Sequence, residues 1–362
     1  MPLVTIVTPP VFTAAEVSGD RLAGAVLCAL GERRPDLRWA GVGGAAMLAS
    51  GRHDAVASVD DLGGAGLVEL LPRLPAILRA RARLQALLAE RPPLSVFVDA
   101  PDLHLALATE ARRRGLRTAL LVVPQFWAWR PGRRQQVAQA ADLALCLFEH
   151  EVAPLRSLGV AAFWVGHPAA ELDPAPPRGR RPLRLALLPG SRRSEVHRHL
   201  RPFLAAALAL DCRDVEVAWR LPQPPPTVEG ARFTRDSGPS VLARADVALV
   251  AAGTASLEAA VLGVPTVVAV ALHPLSAVVA RRLLQVDHVA LPNLILGRRA
   301  VPEVVQNLSV EALCAPLRPL IADRVGAREE AAEHARELRA RLGPPGFGAR
   351  AAHRLLPLLD AA

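Results

Sequence analysis

The chain alternates between short runs of Val, Leu, Ile and Ala and longer stretches in which apolar residues recur every three or four positions. The short runs predict buried strands and the longer stretches predict helices; regular alternation of the two is the pattern of a parallel sheet with helical crossovers. In the first half it predicts strands near Val4–Thr8, Arg38–Val42, Leu94–Asp99, Thr118–Val123, Leu143–Leu147 and Ala162–Val165. Helices such as Asp20–Arg34 and Asp102–Arg114 run between them. The alternation pauses at "ELDPAPPRGRRPL" (171–183), rich in proline and charge. It restarts with "LRLALLPGS", continues through "DVALVAAGT" and "PTVVAVAL", and turns helical from Ser309 onward. This organisation predicts an N-terminal domain over 1–170, a linker over 171–183 and a second domain over 184–345. A C-terminal helix over 346–362 follows, with a return onto the N-terminal domain as one option. Two doubly wound α/β domains in tandem is the fold expected, and such sheets bind ligands at the carboxyl ends of their strands.

Several strand ends carry residues that strand or helix formation alone does not require. In "LLPGSRRSEV" an apolar run ends in Gly190-Ser191-Arg192 and a helix follows, so free amides and a guanidinium would meet a phosphate. A capped turn satisfies the same pattern. "VAAGTASLEAAVLGVP" repeats the arrangement with Gly253 and Thr254, and Glu258 lies one turn into its helix, placed to accept hydrogen bonds from ribose hydroxyls. Two such turns in one domain point to a nucleoside diphosphate group. Neither contains an Asp-x-Asp pair, so no metal ligand set is expected there. In "VFVDAPDLHL" two acids follow the strand: Asp102 reads as helix-start chemistry, while Asp99 stands at the strand end itself. In "TAAEVSGDRL", Ser18, Gly19 and Asp20 read as capping, and Glu16 does not. "PQFWAWRPGRRQQV" sets Trp127 and Trp129 beside Arg130, Arg133 and Arg134; core packing and an aromatic, basic wall facing a sugar or phosphate both account for it.

Composition narrows the classes. The net charge is +9, and every one of the 43 basic residues is Arg. A basic surface attracts phosphates and anionic lipid, but no helix-turn-helix, zinc-finger or aromatic-interleaved basic signature accompanies it, and nucleic acid is not an expected partner. The four cysteines lie far apart without a C-x-x-C, as in a reducing cytoplasm. No uncharged apolar run reaches eighteen residues, and "MPLVTIVTPP" has no basic n-region, so a soluble chain without a spanning helix is expected. "GLVELLPRLPAILRARARLQALLAE" (66–90) interleaves apolar positions with Arg73, Arg79, Arg81 and Arg83; an ordinary packed helix and an interfacial helix edged for lipid phosphates both fit.

These segments, in this order, resemble the lipid-A-disaccharide synthase family. The resemblance is carried by "AAEVSGD", "GVGGAAM", "GLVELLPRLP", "VDAPDLHL", "PQFWAWRPGR", "VGHPAAE", "LLPGSRRSEV", "AGTASLEAAVLGVP" and "LPNLILGRRAVPEVVQ". It implies a glycosyltransferase-B fold, two doubly wound Rossmann-like domains facing a cleft. It also implies an inverting hexosyltransferase without cofactor or metal. The donor would be a UDP-activated 2,3-diacylglucosamine and the acceptor 2,3-diacylglucosamine 1-phosphate, joined at the cytoplasmic face of the inner membrane, with anionic lipid as a partner. Asp99 would be the catalytic base, and Glu16 would belong to the family's active-site loop. Ser191, Arg192, Gly253, Thr254, Glu258, Asn293 and Gln306 match the UDP-side motifs. Three positions depart from the family pattern: Ala15 adds a methyl, and Val270 and Ala271 replace a Tyr and a basic residue. A non-catalytic sugar-nucleotide binder at the membrane surface, or the same chemistry on another glycolipid, are the alternatives those departures leave open.

Overall fold

The computed structural model describes residues 8–51, 53–62, 74–127, 130–176, 182–272 and 287–360. The chain divides into two compact units, Met1–Pro168 with Pro344–Ala362, and Ala169–Gly343.

The first unit is built on a seven-stranded sheet ordered β3-β2-β1-β4-β5-β6-β7. The strands are β1 (Val11–Ala14), β2 (Trp39–Gly43), β3 (His53–Ser58), β4 (Ser95–Val98), β5 (Thr118–Leu121), β6 (Leu143–Cys146) and β7 (Ala161–Trp164), and every pairing is parallel. Central strands β1, β4, β5 and β6 are buried along their whole length. That burial is why they read as continuous apolar runs rather than as alternating ones. The first described strand is Val11–Ala14, not Val4–Thr8. Thr8 lies outside any strand and residues 4–7 fall outside the described part. Pro9 and Pro10 look like strand breakers, but the wholly buried "VFTA" beyond them is what pairs with β4. The helices that matter here are α1 (Val17–Arg33), α2 (Ala45–Ala49), α3 (Leu74–Ala89), α4 (Pro101–Arg113) and α5 (Arg133–Ala140).

The second unit repeats the order in six strands, β10-β9-β8-β11-β12-β13. They are β8 (Arg184–Leu188), β9 (Asp214–Ala218), β10 (Ala231–Thr234), β11 (Val247–Ala251), β12 (Thr266–Val270) and β13 (Glu303–Val305). Apolar clusters fill the sheet, one around Leu188, Val241, Val250 and Val268, another around Leu187, Phe203, Leu249 and Leu317. Its helices include α6 (Arg193–Ala209), α7 (Thr254–Val261), α8 (Leu291–Leu296), α9 (Val310–Ala322) and α10 (Arg324–Leu342). A last helix, α11 (Phe347–Asp360), lies against α1 of the first unit, where a side chain at Gly348 would fall 2.7 Å from the carbonyl of Ala25.

In both sheets the order reverses between two strands, β1 and β4 in one and β8 and β11 in the other. Those are topological switch points, where adjacent crossovers leave in opposite directions and open a crevice at the strands' carboxyl ends. No helix among the described residues is long and apolar enough to cross a membrane.

Candidate functional site

At the first unit's switch point, β4 ends in strained backbone. Asp99 and Ala100 are both left-handed, with φ of 51° and 47°, before Pro101 opens α4. Non-glycine residues cost about 1–2 kcal/mol each in this region because Cβ crowds the carbonyl oxygen. Val122, just past β5, has φ of 68°, which is rarer still for a β-branched side chain. Strain at adjacent strand ends marks a place where the chain is held for a purpose other than its own comfort. Asp99 is half-buried and its amide continues the ladder to the carbonyl of Leu121 at 3.0 Å.

His104 secures the turn. It is fully buried, and its Nδ1–H donates to the Asp99 carbonyl oxygen at 2.8 Å. That bond leaves Nε2 as an acceptor, facing the hydroxyl of buried Thr13 on β1 at 3.4 Å. Burial holds the imidazole neutral, its pKa pulled down to about 4. Glu16 stands at the N-terminus of α1 without capping it. The first turn of α1 packs on β4: a side chain at Gly19 would lie 3.5 Å from Cβ of Asp99. Asp20 corrects the expectation of local capping. Its carboxylate accepts from the amides of Gly44, Ala46 and Met47 at 2.7–3.1 Å and so caps α2, which joins "AAEVSGD" to "GVGGAAM".

Asp102 lies in the first turn of α4, where a negative charge favours the helix start, though it makes no cap hydrogen bond. Its side chain faces outward from the first turn of α4 and meets Arg130 at 3.4 Å and Arg133 of α5. Trp127 is packed: its indole N–H donates to Glu151 at 3.1 Å and its ring edges onto His150, with 4.7 Å between centroids. Glu151 is buried, and loss of solvation lifts its pKa to about 8. His167, stacked near Phe148, is driven down to about 4 by burial. Trp129 lies outside the described residues.

In the second unit the two strand-to-helix turns differ. Past β8, the carboxylate of Glu195 reaches back to the amides of Ser191 and Arg192 at 3.0 and 3.2 Å and pairs with the Arg192 guanidinium at 2.8 Å. Gly190 is required there, since its added Cβ would fall 2.5 Å from that of Glu195. Past β11, Gly253 has φ of 145° and no side chain caps α7; a Cβ there would meet nothing within 4 Å. Gly253 and Thr254 are exposed. Glu258 is buried, with one carboxylate oxygen 3.2 Å from where a side chain at Gly238 would begin.

Asn293 departs from its expected place as a nucleotide contact. It is fully buried, its amide N–H groups donate to the Val301 carbonyl and to Glu303, and its carbonyl accepts from the amides of Ala300 and Val301. Both ends of the amide are thus used inside the protein. Glu303, which the sequence did not flag, also accepts from the amides of Val289 and Ala290 and so fixes the start of α8. Gln306 is left-handed, φ 66°, and closes the end of β12: its amide donates to Val270 and its side chain accepts from Leu272. His199, also unflagged, is the other clamp there. Its Nδ1–H donates to the main-chain carbonyl of Glu195 at 2.8 Å and its Nε2 accepts from the Ala271 amide at 3.2 Å. Ala271 is thus held through its backbone by a side chain of α6. Among the described residues no group of three His, Cys, Asp or Glu could hold a metal ion.

The first unit's switch point thus carries a carboxylate, and the second unit's carries turns rich in backbone amides, the kind of group that receives a phosphate. The model of the family described as "Lipid-A-disaccharide synthetase" matches residues 11–318. The chain belongs to the lipid-A-disaccharide synthase family. It is 37% identical to the lipid-A-disaccharide synthase of Anaeromyxobacter dehalogenans (strain 2CP-C), with 96% of each chain covered. With that of Myxococcus xanthus (strain DK1622) the identity is 36%, again over 96% of each. Among solved structures, MurG of Acinetobacter baumannii superposes with a TM-score of 0.57 at 13% identity, covering 98% of this chain and all of that one. The fold of this synthase-family chain is that of the two-domain glycosyltransferases of the B type.

Proposed function

We propose that this protein is the hexosyltransferase that joins UDP-2,3-diacylglucosamine to 2,3-diacylglucosamine 1-phosphate, giving lipid A disaccharide 1-phosphate and UDP. The observation that carries this reading is family membership over nearly the whole length of both chains. The acceptor's 6-hydroxyl oxygen attacks the anomeric carbon from the face opposite the leaving group. A C–O bond forms there, the anomeric C–O bond to the diphosphate breaks, and its electron pair departs with UDP. Asp99 takes the hydroxyl proton; its place at a held, strained strand end supports the role. Glu16, on the adjacent turn, belongs to the same acceptor-side surface. The diphosphate rests on the open N-terminus of α7 at Gly253 and Thr254, where unpaired amides and the helix dipole oppose its charge. Ser191 and Arg192, held by Glu195, brace the neighbouring turn, and Glu258 faces the ribose. Asn293 and Gln306 act as positioning residues, one bracing α8 and the other closing β12.

The membrane surface is part of the proposal. α3 buries Ala80, Leu84 and Leu88 against its sheet but exposes Leu74, Leu78, Arg79, Arg81 and Arg83, a set suited to anionic lipid at the cytoplasmic face. Incubation of the purified protein with both substrates in EDTA tests the whole reading. The expected products are UDP and a disaccharide 1-phosphate of inverted anomeric configuration. UDP binding without product on any glycolipid acceptor overturns it. Sedimentation with anionic vesicles, reduced in Arg79→Glu, checks the membrane part separately.

A further inference from the structure

Away from its switch point, the first unit has a cleft that collects cations. It opens beside β7, the edge strand of the sheet, against the last turn of α1 and the first half of α11, with a volume of about 300 Å³. Arg33, Arg350, His353, Arg354 and Trp164 line it, and no carboxylate does. What holds these arginines is neutral. Arg350 donates through Nε to the Val165 carbonyl at 2.9 Å, and through its two Nη groups to those of Pro345 and Pro344 at 2.7 and 2.6 Å. Arg354 lies over the ring of Phe163 on β7, 4.0 Å from its centroid. Arg33 ends α1 and is exposed, and neither it nor Arg354 makes an ion pair with a described residue. The next residue shows the contrast: Arg34 pairs with Asp36 at 3.1 Å and with Asp360 at 2.5 Å. Carbonyls and a ring face orient a guanidinium without supplying opposite charge, so the cleft keeps its positive potential. Covering the open edge of the sheet accounts for Arg350. It does not account for Arg33, which comes from another helix and bonds to no carbonyl of β7.

We propose that this cleft is a second ligand site, which binds a phosphate monoester between Arg33 and Arg354 independently of the glycosyl transfer. Arginine suits the task, since its planar fork binds phosphate oxygens in pairs, and Arg350 adds a third fixed cation behind the pair. Trp164 spends its indole N–H on the Leu147 carbonyl at 3.1 Å. Its ring therefore offers the cleft an apolar wall, on which the group that bears the phosphate rests. The volume is at the lower end of small-molecule sites and admits one phosphorylated ring. A lipid headgroup carries the same chemistry, but the surroundings favour a soluble source. No exposed large apolar residue lies on α11 or β7 to enter a bilayer. The helix with exposed leucines, α3, packs on β2 and β3 at the other edge of the sheet, about 30 Å away by strand spacing.

Hydrogen exchange tests the site because it shows where a ligand binds, whatever else the protein takes up. The probes are glucose 1-phosphate, glucose, and phosphatidylcholine vesicles with and without phosphatidic acid. The proteins are the wild type, Arg33→Ala, Arg354→Ala and Arg354→Lys; Arg350 is left alone because it ties α11 to the sheet, and thermal melts check that each variant is folded. In the wild type, glucose 1-phosphate should slow exchange over 161–165 and 347–354, and glucose should not. The concentration needed should rise about tenfold or more in each alanine variant and by less in Arg354→Lys. Slowing of the same segments by phosphatidic acid vesicles alone keeps the phosphate site and moves its source to a lipid headgroup. No slowing with either phosphate, or slowing undiminished in both alanine variants, overturns the site.

Discussion

The carboxyl ends of β1 and β4 present side-chain acid on strained backbone, whereas the ends of β8 and β11 present backbone amides around glycines. Both lie at the switch point of the same strand order, so topology alone does not distinguish them. What differs is the means of holding charge. At the first, Asp99 is fixed through its own carbonyl by a neutral, buried imidazole. At the second, the turn past β8 is filled by Glu195 while the turn past β11 stands open. The lesson is that two turns with the same look in sequence, apolar run, glycine, helix, need not serve the same purpose. One is closed by a carboxylate of its own helix, and the other is left for an anion from outside.

The largest expected effect breaks the comparison at its acidic side. Asp99→Asn should lower kcat by about 10²- to 10⁴-fold, the usual worth of a general base, with melting temperature close to wild type. An unchanged kcat removes Asp99 from the chemistry. Asn293→Ala comes next. It leaves two amides, a carbonyl and a carboxylate short of partners in a buried site, and should cost about 2–4 kcal/mol in urea unfolding. Full stability with UDP affinity down more than about tenfold would make it a ligand contact instead.

A glycine pair then sharpens the difference between the two turns. Gly190→Ala should destabilise by about 1–3 kcal/mol more than Gly253→Ala, because only the former drives Cβ into Glu195. Glu195→Ala in the same chain should recover part of that loss. UDP affinity should rank the two the other way, falling further for Gly253→Ala. A matching order in both assays would mean the turns are equivalent.

The smallest effects are in pH. His104 and His167 have folded pKa values pulled below the free value, to about 4. The unfolded chain therefore binds protons first, and stability falls as pH drops from about 6.5 toward 4. Glu151 has the opposite sign: its pKa is raised to about 8. The unfolded chain loses that proton first, so stability falls as pH rises from about 4.5 toward 8. Glu151→Gln should flatten the alkaline side of the melting-temperature profile and leave the acid side as it was.

How much of this could be read from the sequence depends on how local each contact is. Gly253 was legible because a glycine directly after a buried run signals a turn no other residue makes easily. Glu16 and Asp99 stood out as acids that capping does not use. Glu195 was legible in principle, since a carboxylate three or four residues past a turn commonly reaches back to its amides. Asn293 is one of only two asparagines in the chain, yet its partners at 300, 301 and 303 lie across a loop whose path only packing sets. Asp20 looked like a local cap and serves a helix 24 residues away, because α1 lies against α2. Arg130, Arg133 and Asp102 meet only once α4 and α5 are side by side.

The central claim is a division of labour, proton removal at the first switch point and nucleotide binding at the second. Its most direct test is calorimetric titration of UDP into Asp99→Asn, read beside that variant's kcat. UDP affinity is expected to stay within about twofold of wild type while kcat collapses, the pattern of a group that acts only in the transition state. A UDP affinity that falls in step with kcat would contradict it.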